Sequence, residues 1–339
     1  MQSRLIMLFA LLAVPCPLMA QSSPRNKTVT LSNDTRPLKA VVADIARQTG
    51  LEIDISAMDA ELPLRDGANK QPFWTVVDRL AEQVNSRVVI GRQGVPVRLM
   101  PSTVKDRPPV SVDGPFRIAA TSVDARIDLT TGKTVYDLVL EVAWEATLPV
   151  YRIDTVPAIS KGTDDAGRNV TVQPIESRLP VSGVSAYLRL RLEGLSRQSQ
   201  SIAILQGTFK ATIADEMLRT RFDIAKGPMK VRQAGVDIDL TRFEWKKNAW
   251  VADIQLHYPQ GGAEFESFET YWLSRNRLTL IAPDGKTRVT VDDPEINGTS
   301  LRYTIKAPGN LAGWTMEYET PAPMREVPVA FTLKGIALP

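Results

Sequence analysis

Beyond residue 110 the apolar residues of this 339-residue chain recur at every second position, and that period decides most of what the chain can fold into. Tyr136, Leu138, Leu140, Val142 and Trp144 share one side of an extended segment, while Asp137 and Glu141 take the other. Ala186, Leu188, Leu190 and Leu192 alternate in the same way with Tyr187, Arg189, Arg191 and Glu193. The theme returns at Val236–Leu240, Trp250–Tyr258, Leu301–Ile305 and Val329–Leu333. Successive side chains of a strand point to opposite faces, so each run reads as a strand with one dry side and one wet side. Hairpin-type signals stand between them at Asp165-Ala166-Gly167, Asp284-Gly285 and Asn297-Gly298. Such strands pair antiparallel and bury their dry faces by packing sheet on sheet. A break at Ala225-Lys226-Gly227-Pro228 splits the region into lobes 110–225 and 226–339, each near the size of an immunoglobulin-like sandwich. The expectation is two consecutive antiparallel β-sandwich domains, with one large sandwich as the runner-up.

The N-terminal third follows a different rule. PLKAVVADIARQTGLEIDI (Pro37–Ile55) aligns without gaps on PFWTVVDRLAEQVNSRVVI (Pro72–Ile90). Leu38, Val41, Val42 and Ile45 in the first copy match Phe73, Val76, Val77 and Leu80 in the second, the i, i+3, i+4, i+7 spacing of one helix face. Pro37 and Pro72 fall in the first turn, where a missing N–H costs nothing, and Gly50 and Asn85 can end the helices. With β-type runs at Thr28–Leu31, Leu51–Ile55, Leu62–Arg65, Arg87–Ile90 and Val95–Met100, the order is β-α-β-β-α-β-β, two helices against one small sheet.

Residues 28–100 resemble the secretin and TonB short N-terminal domain family. The resemblance rests on VTLSNDTRPLKAVVADIARQTGLEIDIS followed by PFWTVVDRLAEQVNSRVVI. It implies an α+β interaction module that contacts envelope proteins and carries no catalytic residues. The family usually fronts an outer-membrane barrel or a secretin ring. A 22-stranded barrel at about 10 residues per strand would consume nearly all the chain beyond Met100 before any loop, so a transporter is not expected.

Residues 1–20 read as a secretory signal peptide: Arg4, the apolar run Leu5–Val14, the helix-breaking Pro15-Cys16-Pro17, and the small residue Ala20. The stretch is too short and too interrupted by proline to span a bilayer. Cleavage after Ala20 leaves a polar leader, residues 21–27, and a periplasmic or extracellular protein with no transmembrane span. Lipid anchoring at Cys16 is the alternative, disfavoured by the ring of Pro15 beside it. Residues 101–109 (PSTVKDRPP) are a proline-bracketed linker.

Composition narrows the chemistry. Hydrophobic residues at 43% and charged residues at 23% are ordinary globular values, which excludes a disordered chain. Lys and Arg number 41 against 38 Asp and Glu, and with no basic tract to follow phosphates, nucleic acid is not an expected partner. One Cys and one His exclude disulfide frameworks, Cys/His zinc sites and thiol catalysis. No cofactor and no metal are expected.

The remaining candidates each have a plain competitor. Ser102-Thr103-Val104-Lys105 fits the S-x-x-K of penicillin-binding enzymes, yet it lies in the linker and lacks the partner motifs. His257 falls on the wet face of its strand with no nucleophile elbow in the sequence. Glu264, Glu266 and Glu269 among Phe265, Phe268, Tyr271 and Trp272 could form a glycosidase pair, but alternating Glu on a wet strand reads identically. Asp164-Asp165 and Asp292-Asp293 lack calcium-loop spacing and read as turns. Trp245, Trp250, Trp272 and Trp314 form the candidate interaction surface, a stacking platform for sugar or peptide if exposed and core if buried. The expected protein is non-catalytic and binds an envelope protein partner, with carbohydrate binding or a carbohydrate-active role on polysaccharide as the alternative.

Overall fold

The structure is a computed structural model and describes residues 24, 26–91, 97–104, 107–132, 134–173, 178–181, 183–258 and 270–339. Among them the chain is mostly β, with two α-helices in an α+β N-terminal region and several antiparallel sheets beyond it. No described helix is long and apolar enough to cross a membrane. The expected signal peptide, Arg4 and Cys16 included, lies outside the described residues.

The N-terminal unit runs β1 (Thr28–Leu31), β2 (Thr35–Pro37), α1 (Leu38–Thr49), β3 (Ile53–Asp54), β4 (Pro63–Arg65), β5 (Ala68–Pro72), α2 (Phe73–Gln83), β6 (Ser86–Ile90) and β7 (Val97–Pro101). The repeat extends to the backbone angles. Pro37 and Pro72 cap their helices at φ/ψ of −60°/145° and −54°/141°, one residue before the first turn where the sequence placed them. Gly50 and Asn85 leave the two helices at φ 73° and 50°, the left-handed region that a glycine or an asparagine enters most readily. All eight expected helix-face residues are buried, packed with Val29, Leu64 and Leu99. The single small sheet is a correction: the strands divide into β1–β5, β2–β4 and β3–β7–β6. β2 and β5, invisible in the periodicity, are short lead-ins that end at Pro37 and Pro72, because proline has no N–H with which to extend a ladder.

The β region begins with β8 (Val110–Asp113), β9 (Phe116–Ile127), β10 (Thr134–Trp144), β11 (Val150–Asp154), β12 (Ala158–Asp164), β13 (Thr171–Gln173), β14 (Arg178–Pro180), β15 (Ser185–Glu193) and β16 (Ser201–Asp223). It continues with β17 (Met229–Gln233), β18 (Val236–Lys246), β19 (Ala249–His257), β20 (Arg277–Ile281), β21 (Arg288–Val291), β22 (Glu295–Asn297), β23 (Ser300–Ile305) and β24 (Thr315–Ala337). Three sheets result, in the orders β13-β15-β10-β9-β8, β14-β11-β16-β24-β20-β21 with β12 also on β16, and β17-β18-β19-β23-β22.

The organising element is the pair β16 and β24, each 23 residues long and antiparallel from Ser201 opposite Ala337 to Asp223 opposite Thr315. At about 3.3 Å per residue the ribbon is roughly 70 Å long. One half closes over the first core, where Ile202, Phe209, Val329 and Phe331 meet Leu140 and Leu188. The other half closes over the second, where Phe222, Met316 and Tyr318 meet Ile238, Ile254 and Leu301. The boundary expected at residue 225 therefore does not divide the cores. β16 does end there, in a short 3₁₀ turn at Ile224–Lys226, but Val327–Ile336 return to the first core. Proline in Thr315–Ala337 obscures that strand in the sequence. β24 pairs with β20 only over Thr315–Glu319, and Pro321 and Pro328 lie past that stretch, where a missing N–H is tolerated.

Candidate functional site

The site grows from the differences between the two repeat copies. Where the first has Lys39 the second has Trp74, and where the first has Ala43 the second has Asp78. Lys39 stays exposed and pairs with Glu61. Trp74 is buried, and its Nε1–H donates to the carbonyl of Pro115 at 2.9 Å. One turn on, Asp78 accepts from Nε and Nη2 of Arg117 at 2.9 and 2.8 Å. The Arg117 side chain is only 5% exposed, and its other flank faces Glu141 at 3.8 Å. Glu141 in turn accepts from the Tyr187 hydroxyl at 2.9 Å. A bidentate, largely desolvated Arg–carboxylate pair holds its geometry better than a surface pair.

Two further contacts fix the same joint. Arg107, from the linker, donates to the carbonyl of Ser86 at the start of β6 at 2.9 Å and to that of Ala81 in the last turn of α2 at 3.0 Å, where a helix leaves acceptors open. Both carboxylate oxygens of Glu145 accept from the Lys27 backbone N–H at 3.0 Å. Burial pushes the Glu145 carboxyl up to about 7, with the Lys27 N–H and the Lys27 charge pulling it the other way. Ala143 of β10 packs into the N-terminal core itself. The N-terminal unit is thus seated on the outer face of the first β sheet, not strung from a loose linker.

Beside the seat runs a groove of about 1040 Å³. All five residues of β6 line one wall, Pro108 and Pro109 of the linker with Val110 of β8 a second and Ala120–Val123 of β9 a third. Among the described residues β6 is an edge strand, hydrogen-bonded as a strand to β7 alone. Val88 and Ile90 pack against the N-terminal core, which by alternation turns Arg87 and Val89 outward. Arg87 makes no ion pair among the described residues.

The residues singled out from sequence are scattered. Trp245 is 43% exposed and meets Trp250 edge-on at 5.6 Å, while Trp250 stacks on Phe243 at 4.8 Å and donates to the Pro308 carbonyl. Trp314 is half-buried against the second core. Trp272 belongs to the 3₁₀ segment Thr270–Arg275, and its side chain lies outside the described residues, as do Glu264, Glu266 and Glu269. His257 ends β19, exposed and opposite Asp237. Ser102 and Val104 are non-helical, with the Val104 N–H on Ser102 Oγ at 3.3 Å, so the helical turn an S-x-x-K pair requires is not formed; Lys105 is outside the described residues. Asp164 accepts from the N–H groups of Ala166 and Arg168 and from Ser199, which pins a turn. Among the described residues no three His, Cys, Asp or Glu gather where a metal could be held.

Sequence reasoning missed Trp74, Asp78, Arg107, Arg117 and Glu145. One signal was present: a tryptophan on the helix position where the other copy carries an exposed lysine. Searches against family models, curated proteins and solved structures return no match to the chain.

Proposed function

We propose that this is an exported, non-catalytic cell-envelope protein that binds a partner protein in the groove beside β6. On this reading residues 28–100 are a secretin/TonB-short-domain-like interaction module, as their sequence resemblance implies. The two cores are two immunoglobulin-like β-sandwiches strung along the β16–β24 ribbon, forming a stiff arm behind the module. Export rests on the sequence of residues 1–20.

The observation that carries the reading is a free strand edge along a preformed groove. An extended segment of the partner, added beside β6, meets the side of Arg87–Ile90 turned away from β7, along which no further strand pairs among the described residues. Main-chain bonds then supply affinity, while neighbouring side chains supply selection. Arg87 favours an acidic side chain on the partner, and Val89 an apolar one. The seat keeps the groove open before binding, which spares the ordering cost of a mobile joint.

The test is capture from an envelope extract by the immobilised chain from Gln21 onward, which contains every described residue. A protein retained by the wild type is expected to be lost with Val89→Asp and weakened with Arg87→Glu. Equal retention by all three rejects the groove. The polysaccharide alternative keeps, of the four tryptophans proposed for it, Trp245 as the exposed ring among the described side chains.

A further inference from the structure

The far end of the β16–β24 ribbon collects four loops. Register brings them together: Asp223 lies opposite Thr315, Thr315 opposite Ile281, Lys246 opposite Ala249, and Trp250 opposite Ile305. The loops are the turn Ile224–Lys226, the Lys247-Asn248 hairpin, the turn at Pro283–Lys286, and the segment between β23 and β24. A Cβ on Gly313 would stand 3.1 Å from Pro283 Cγ, so the last two loops touch.

Charge at this end is not balanced. Lys246, Lys247, Lys286 and Lys306 are exposed, and none makes an ion pair among the described residues. Along the flanks of the same unit the cations are matched: Arg219 to Glu319, Arg221 to Glu317, Lys230 to Asp237, Arg302 to Asp253. The acids near the tip are already engaged. Asp223 pairs with Lys226, Glu244 with Arg242, and Asp284 accepts from the N–H groups of its own turn at Lys286 and Thr287. Trp245, 43% exposed, directly precedes Lys246 and Lys247 at the hairpin tip. Trp250 is against its edge, and the backbone of Gly309 lies close enough that a Cβ there would be 3.7 Å from the ring. Lys247 and Asn248 both have positive φ, 48° and 62°, the two-residue turn that makes a tight, convex hairpin tip.

We propose that this end docks on an anionic phospholipid bilayer, with Trp245 in the interfacial layer and the four lysines against the headgroup phosphates. An indole is at home at the boundary of apolar and wet layers. Lysine is a compact point charge that suits a diffuse anionic plane, each one near such a surface contributing about fivefold in affinity. A convex tip supplies no walls to enclose a sugar or a peptide, and a held ring beside unmatched charge fits a flat partner. The proposal is independent of the groove: the two sites lie on different units and either can fail alone.

The experiment is co-sedimentation of the chain from Gln21 with vesicles of equal parts phosphatidylglycerol and phosphatidylcholine, and with phosphatidylcholine alone. Binding is expected to the anionic vesicles, at least about tenfold weaker to the neutral ones, and to fall as salt shortens the screening length. Lys246→Ala with Lys247→Ala should weaken it by about 25-fold, and Lys306→Ala by about fivefold. Trp245→Tyr should remove most of the quenching of tryptophan emission by brominated lipid. Melting curves that match the wild type confirm that these exposed changes leave the fold intact. Equal binding to both vesicles, no binding, or unchanged binding of the lysine variants overturns the proposal. So does retention on polygalacturonate with none on vesicles, which would place an acidic polysaccharide here instead.

Discussion

Glu145 carries the most consequential single ionisation of the described chain. It is 2% exposed, its two oxygens share the Lys27 N–H, and burial holds its carboxyl at about 7. A carboxyl raised in the folded state binds its proton more tightly there than in the unfolded chain. Its favourable contribution is therefore fully present below about 4.5 and is lost as pH rises through about 7, a change on the order of 3 kcal/mol. Thermal melting between pH 5 and 8 should show stability falling across that window, and Glu145→Gln, which keeps an acceptor without the charge, should flatten the fall. A wild-type melting temperature that climbs toward pH 8, or a Gln variant with the same slope, contradicts the assignment. None of this was legible in the sequence. Glu145 and Lys27 are 118 residues apart, Arg117 and Asp78 are 39 apart, and alternation assigns a charged residue to a wet face unless a second unit covers it.

The helices were legible because a helix announces itself locally. Each copy repeats its apolar residues within one turn, and the two prolines mark where the turns begin. The short strands β2 and β5 were not, since three to five residues cannot display a period. β24 was legible only in its last third, because Pro321 and Pro328 read as breaks unless the neighbouring strand β20 is known to stop at Glu319 of β24. That ribbon makes a specific demand at Gly207, which lies opposite Phe331. A Cβ there would come within 3.0 Å of the Phe331 ring and 2.9 Å of the Ala158 carbonyl oxygen. Phe331 is buried and the Ala158 carbonyl is held by the pairing of β12 with β16, so Gly207→Ala should destabilise by about 1–3 kcal/mol, readable in chemical denaturation. An unchanged denaturation midpoint would show that β12 and β24 can yield to β16 at little cost.

For the molecule as a whole, the αβ repeat and the alternating remainder were legible in the sequence, but not how they join. Joining depends on contacts between residues far apart in the chain: Trp74 on the Pro115 carbonyl, Asp78 on Arg117, and a C-terminal strand returning to the first core. The aromatic residues chosen from sequence were chosen by type, and type does not say which ring is covered. What the joined molecule offers is an arm about 70 Å long with a seated module and an open strand edge near one end. On the function proposed above, the partner lies along this edge. Photo-crosslinking from the living envelope tests that most directly, with a photoreactive amino acid placed at Val89 in one strain and at the exposed Thr290 of the second unit in another. A discrete adduct from position 89, absent from position 290 and weakened when Arg87 is changed to Glu, is the expected result. Adducts of equal yield from both positions, or none from position 89, contradict the account.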